Sequence, residues 1–234
     1  MKLRLLIGMV IMIFATNAVA QDVNDFLNNV RTKLNTVKDY KADGTMKLDV
    51  PFLQVPDSKI DIYYKQPDKF RIRQQKGVSL VPKGGISINM GSLFKSGQYA
   101  AVDAGQSSFE SKVLRAVKLL PLDENSDVVL TTLFIDPGSY LIRKATITTK
   151  ENGTYQVQFN YGKYSNWGLP DEVLFTFNTK DYKVPKGVTF DYDEDEKTGI
   201  DKVKNGKGTV KITYSSYTIN KGIPDDVFKK PDSK

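Results

Sequence analysis

The chain has no histidine and no cysteine among its 234 residues. These absences exclude Ser-His-Asp and Cys-His catalysis, zinc sites built on His or Cys, and haem ligation by either residue. They also exclude disulfides, so a hydrophobic core must hold the fold together. The chemistry that stays open is that of carboxylates, or none.

The acidic run DYDEDE, residues 191–196, is the obvious cluster of carboxylates. Its oxygens could ligate a hard cation such as Ca²⁺, but it lacks the spacing and the turn glycine of an EF-hand loop. A glycosidase would need two acids across a cleft, and no pair stands out. We therefore predict a solvated loop here, and a protein that is not an enzyme, with no catalytic residue, no metal site and no cofactor.

The first twenty residues have the organisation of an export signal. Lys2 and Arg4 precede a short apolar run at 5–14, and small residues follow it. This pattern predicts a cleavable signal peptide over 1–20, because the apolar run is shorter than the roughly 20 residues of a bilayer span. An uncleaved anchor is the alternative. We expect residues 21–234 to form a single domain in the periplasm.

Hydrophobic periodicity separates helices from strands. Residues 22–38 repeat apolar side chains at helical spacing and predict an amphipathic helix. Residues 107–122 place apolar side chains roughly on one helical face and predict a second helix that ends at Pro121. Elsewhere, period-2 alternation predicts antiparallel strands with one apolar face. These strands fall at residues 46–50, 60–64, 70–73, 128–135, 142–149, 155–161, 173–177 and 210–217.

The stretch YYKQPDKFRIRQQ, residues 63–75, predicts a hairpin hinged on a Gln-Pro-Asp turn. In its second strand the alternation turns Phe70 and Ile72 towards the core. Arg71 and Arg73 then face outwards, because successive side chains of a strand point to opposite faces.

Three segments, in this order, resemble outer-membrane lipoprotein carriers, the LolA/LolB-like lipoprotein-sorting family. YYKQPDKFRIR (63–73) resembles their hairpin with a basic-residue–Pro–x–x–Phe pattern. LFIDPGSYLIRKATITTKENGTYQVQFNY (133–161) resembles their central pair of hairpins, and ITYSSYTINKGIPDDVFKKP (212–231) resembles their C-terminal signature. With NWGLPDEVLF (166–175) and the first helix, the likeness covers most of the chain after the signal peptide.

The resemblance implies an α+β fold, in which a strongly curved antiparallel sheet forms an incomplete β-barrel and helices lid its concave apolar face. It implies a carrier, or chaperone, that holds the acyl chains of lipoproteins in an apolar cavity and helps to move them to the outer membrane. Alternation alone does not distinguish such a cavity from a filled core. The candidate cavity residues are Met46, Leu48, Val50, Ile60, Ile62, Tyr64, Phe70, Ile72, Leu141, Ile147, Val157, Phe159, Phe175, Ile212 and Tyr214.

The resemblance also implies a latch and partners. Gln66 stands where the carriers commonly have an Arg that helps to latch the lid, so Gln66 is the expected latch position. The implied partners are lipoprotein acyl chains or other lipid, with membrane-associated release and acceptor proteins, and we expect a monomer that binds no nucleic acid. The alternative is a periplasmic lipid-sensing or regulatory module on the same fold. Such a module would capture a protein partner through an outer face with Arg71, Arg73 and Lys76.

Overall fold

The structure, a computed structural model, describes residues 18–50, 53–54, 56–74, 99–151, 153–178 and 206–229. One α-helix, eleven strands and two short 3₁₀ helices lie among these residues. They are α1 (Ala18–Asn35), β1 (Asp39–Val50), β2 (Leu53–Gln54), β3 (Ser58–Lys65), β4 (Lys69–Gln74), β5 (Tyr99–Phe109), β6 (Lys112–Pro121), β7 (Val128–Ile135), β8 (Ile142–Thr149), β9 (Thr154–Asn160), β10 (Glu172–Asn178), β11 (Lys207–Ile219) and the 3₁₀ helices Ser165–Trp167 and Asp225–Phe228.

All eleven strands belong to one antiparallel sheet. Its order is β4-β3-β1-β11-β10-β9-β8-β7-β6-β5, and β2 pairs with the end of β1. Within the described part of the chain, β4 and β5 are the two ends of this order and do not pair with each other. The sheet is therefore an incomplete barrel, and the predicted α+β class is confirmed, although among the described residues one α-helix rather than several covers the concave face.

A β-bulge bends the centre of the sheet. Asp43 and Gly44 are consecutive in β1, but their partners in β11 skip Ser215. The skipped residue is held in place because its hydroxyl donates to the backbone oxygen of Asp43 at 3.0 Å. Gly44 is required here, since an added Cβ would lie 2.6 Å from the backbone oxygen of Thr213. Such a bulge increases the local twist and helps the sheet to curve around α1.

The predicted second helix at 107–122 is wrong, because these residues belong to the antiparallel hairpin β5–β6. The hairpin turns at Glu110–Ser111, where both residues have positive φ (47° and 62°). Val117 and Leu119 join the core, while Leu114, on the opposite face, is fully buried as well. A strand that buries side chains on both faces presents an apolar run that periodicity does not distinguish from a helix.

The helix predicted at 22–38 is confirmed, but α1 begins at Ala18 and ends at Asn35. Its first turn therefore includes the last three residues of the predicted signal peptide. The remainder of that segment, residues 1–17, lies outside the described part of the chain. The acidic run at 191–196 lies outside it too. Among the described helices, none is long and apolar enough to cross a membrane.

Candidate functional site

The concave face of the sheet and one side of α1 form a continuous apolar core. On the helix, Val23, Phe26, Leu27 and Val30 are buried, at the i, i+3, i+4 and i+7 spacing of one helical face. Leu27 and Val30 are completely inaccessible to solvent. The helix therefore covers the sheet as an amphipathic lid whose opposite side is polar.

The structure brings most of the candidate cavity residues into this core. Three of them are only partly buried, and two are buried outside the main cluster. The fully packed members are Met46, Ile60, Ile62, Tyr64, Ile147, Val157, Phe159, Phe175, Ile212 and Tyr214; the partly buried ones are Leu48, Phe70 and Ile72; Val50 and Leu141 lie outside the cluster.

Phe70 and Ile72 occupy a distinctive place, because they lie on the inner face of the edge strand β4 and pack against the core without being fully buried. Their neighbours across the hairpin are Tyr64 and Ile62, which are buried. The edge of the concave face is therefore apolar and half accessible.

One end of the core is built from tyrosines, which the sequence analysis identified only in part. The rings of Tyr40 and Tyr64 lie 5.3 Å apart, and Tyr217 contacts Tyr40, Tyr164 and Tyr214 at 5.3, 4.8 and 5.0 Å. Burial raises the pKa of Tyr40, Tyr214 and Tyr217, so these phenols stay neutral. Tyr40 was missed because the small residues that follow it in β1, Ala42 and Gly44, hide the alternation.

At the other end, an arginine lies against the helix. The guanidinium of Arg115 stacks over the ring of Phe26, 4.6 Å from its centroid, and its Nη2 lies 2.6 Å from Oδ2 of Asp103. Phe26 also contacts Tyr140, with ring centroids 5.6 Å apart. Because the ion pair is largely covered, it fixes this end of the lid through both charge and packing.

The C-terminal end of α1 is fastened by a polar junction, which we define as residues 35–39 with Gln66 and Asn220. Nε2 of Gln66 donates to the backbone oxygen of Val37 at 3.0 Å, and Nδ2 of Asn220 donates to that of Thr36 at 2.9 Å. Both side chains satisfy carbonyl groups that follow the last turn of the helix. Gln66, the expected latch position, thus lies at the point where the chain leaves α1 and enters β1.

A groove of about 560 Å³ runs along the outer edge of α1, between the helix, the β7–β8 turn and the 3₁₀ helix Ser165–Trp167. Most of its lining residues have polar side chains, although apolar atoms make up most of the surface that they expose to the groove. Leu141, a candidate cavity residue, is part of this lining. Its lining residues are Asn29, Thr32, Lys33, Thr36, Gly138, Ser139, Tyr140, Leu141, Ser165 and Asn166.

Arg71 and Arg73, the proposed partner-binding residues, lie on the outer face of β4 and bind the chain's own C-terminal segment. We call residues 223–229 the C-terminal strap. Nη1 of Arg71 and Nη2 of Arg73 both donate to the backbone oxygen of Val227 at 3.0 Å. The two arginines therefore contact peptide groups on the outer face and do not line the apolar core. Lys76, the third of the proposed partner-binding residues, lies outside the described residues.

The sequence matches no family model and no curated protein. Solved structures do match, at low identity. A domain from Vibrio parahaemolyticus designated an outer membrane lipoprotein-sorting protein is 12% identical, with a TM-score of 0.56 over 89% of this chain and 97% of that one. A DUF1329 family protein from Desulfovibrio piger is 10% identical, with a TM-score of 0.55 over 90% and 97%.

A LolA superfamily protein from Nitrosomonas europaea is 11% identical, with a TM-score of 0.53 over 87% of this chain and 97% of that chain. At these identities the likeness establishes the fold. The chain therefore has the fold of the LolA-superfamily and lipoprotein-sorting structures over nearly all of their length, as the sequence resemblance implied.

Proposed function

We propose that this protein is a periplasmic carrier, a chaperone that binds the acyl chains of lipoproteins between α1 and the sheet and helps to move them to the outer membrane. The observation that carries the proposal is the single apolar face, spread over the curved sheet and covered by one helix. The designation of the Vibrio domain as a lipoprotein-sorting protein and the predicted signal peptide support the proposed cargo and compartment. We propose further that the protein breaks no bond and is not an enzyme.

Simple energetics indicate what cargo the site would prefer. Releasing the four buried side chains of α1 from the sheet costs roughly 6–12 kcal/mol, at about 1.5–3 kcal/mol each. A chain of about 15 methylene groups regains about 12 kcal/mol, at roughly 0.8 kcal/mol per group. One acyl chain therefore exceeds the cost of displacing the helix by at most about 6 kcal/mol, whereas two or three chains exceed it by at least about 12 kcal/mol. The proposed carrier favours multiply acylated ligands over single fatty acids.

The test uses a fluorescent lipopeptide with two acyl chains and the same peptide without them. The wild-type protein is expected to bind only the acylated form. Ile72→Glu places a carboxylate on the half-buried inner edge, where an apolar ligand would leave it without water, so we expect about tenfold weaker binding.

The matched control is Arg73→Glu, which adds the same side chain one residue further along β4 but on the outer face. It is expected to leave lipopeptide binding within about twofold of wild type, because the outer face does not contact the core. Equal binding of the acylated and bare peptides would contradict the proposal, and so would equal losses in the two variants.

A further inference from the structure

The outer face of the hairpin β3–β4 carries four cations close together. Lys65 ends β3, and Lys69, Arg71 and Arg73 alternate along β4. Because their neighbours in sequence face the core, all four project away from α1. We call these four residues the basic outer face. Asp61 of β3 stands opposite Arg73 in the register and supplies one negative charge.

The C-terminal strap occupies this face through peptide groups and one carboxylate. Nζ of Lys65 donates to the backbone oxygen of Ile223 at 2.9 Å and to Oδ1 of Asp225 at 2.7 Å, while Lys69 contacts the other carboxylate oxygen at 3.0 Å. Arg71 also donates to the backbone oxygen of Lys229. The strap is thus bound as a peptide ligand would be, with its backbone oxygens at set positions.

The charges of this contact do not balance. The carboxylate of Asp225 serves two lysines, whereas the strap offers the two guanidinium groups only carbonyl oxygens. Guanidinium groups form stronger, bidentate bonds with carboxylates than with neutral acceptors. The strap is therefore a weaker partner for Arg71 and Arg73 than a more acidic peptide would be.

From these contacts we propose that the basic outer face is a docking site for an acidic peptide segment of a partner protein, and that the C-terminal strap is its built-in competitor. The bonds to three backbone oxygens favour a peptide, because they show that this face already accepts peptide carbonyl groups. The strap also stands between the guanidinium groups and any flat surface, while a flexible peptide can replace it one contact at a time. This proposal does not depend on acyl-chain binding.

The test measures fluorescence anisotropy with a labelled peptide that carries the strap sequence IPDDVFK extended by glutamates at its N-terminus. Asp225→Ala removes the one carboxylate with which the strap competes, so the full-length variant should bind the peptide about fivefold more tightly than wild type. Arg73→Glu should bind it about tenfold more weakly, and the loss should shrink in high salt. Arg73→Gln, which adds no charge, should show a smaller loss in the same direction.

Lys47→Glu is the control for net charge, because Lys47 is exposed on the outer face of the neighbouring strand β1. It should change peptide affinity by less than about twofold. Equal losses in Arg73→Glu and Lys47→Glu would overturn the proposal, as would an unchanged affinity in Asp225→Ala or no binding to any variant. Binding to vesicles of anionic phospholipid that depends on Arg73, without peptide binding, would overturn it in favour of a membrane. Acyl-chain binding, measured in parallel, should stay unchanged in all four variants.

Discussion

The hairpins at the two ends of the sheet distribute charge in opposite ways. In β3–β4 the arginines Arg71 and Arg73 face outwards and are covered by the C-terminal strap. In β5–β6 the arginine, Arg115, faces inwards, where it pairs with Asp103 and covers the ring of Phe26. One end of the sheet thus turns apolar side chains towards the core and its arginines outwards, whereas the other end places an ion pair against an aromatic ring of the helix.

The two hairpins also differ in the side chains that they expose on their outer faces. Around β5–β6 the outward side chains include large exposed apolar groups, whereas β3–β4 exposes cations. Leu120 and Val102 are 42% and 49% accessible to solvent on the described surface. The helix contacts β5 directly, and the covered ion pair adds to packing at that end of the sheet. The hairpin β3–β4 instead contributes apolar side chains to the shared core.

The largest expected effect tests whether both hairpins belong equally to the core. Ile62 in β3 and Leu119 in β6 are both buried on the concave face, with 0% and 2% exposure. Replacing either by Ala should lower the free energy of unfolding by about 2–5 kcal/mol, since each change leaves a cavity. Urea denaturation of the two variants measures this. A loss below about 1 kcal/mol for Leu119→Ala would show that β5–β6 is peripheral to the core.

The same two hairpins explain what the sequence could predict. Residues 63–75 alternate cleanly between apolar and charged side chains around a Gln-Pro-Asp turn, so both strands and their inward faces were predicted correctly. Within residues 107–122, Leu114 is buried on the outer face of the sheet and Val117 on the inner face. The hairpin turns at Glu110 and Ser111, and these residue types are not typical of positive φ. Local sequence does not reveal two-sided burial, because it depends on neighbouring strands.

The candidate site likewise has one part that the sequence predicts and one part that it does not. The apolar side chains of the concave face follow from period-2 alternation, which local sequence records. The strap was not predicted, because its contacts join Lys65 to Asp225 across 160 residues. Its acidic residues and the basic hairpin are visible in sequence, but only the fold places them together. For the same reason the sequence predicts an outer face with Arg71 and Arg73 that could capture a partner, but not that the strap lies on it.

A smaller effect concerns the ion pairs of the two hairpins. A double-mutant cycle on Asp103 and Arg115, with side-chain exposures of 22% and 18%, should give a coupling of about 0.5–1 kcal/mol that persists in 1 M salt. The pair of Lys65 and Asp225 is more exposed, at 36% and 60%, so its coupling should be smaller and should disappear in high salt. If the two coupling energies depended equally on salt, the proposed difference between a covered and an exposed ion pair would be contradicted.

The pH dependence of unfolding provides a second readout of the covered pair. Burial raises the pKa of Asp103, but the bonds from the Gly105 amide and from Arg115 outweigh it and hold the pKa below its usual value. A lowered folded-state pKa means that the stabilisation is present above about pH 4 and is lost as the pH falls through the folded-state pKa. Asp103→Asn should therefore flatten the acid side of the stability curve, whereas an unchanged slope would exclude this role.

The smallest expected effect compares adjacent residues on the two faces of β6. Leu119 is buried, while Leu120 points outwards and is 42% exposed. Leu120→Lys should therefore change the free energy of unfolding by less than about 0.5 kcal/mol, against the several kcal/mol expected for Leu119→Ala. It should also lower self-association at high concentration, measured by sedimentation, because it interrupts a surface of exposed apolar side chains. A loss above about 1 kcal/mol would mean that the outer face of β6 is packed at Leu120 as it is at Leu114, and that this edge, like the one under the strap, is covered along its length.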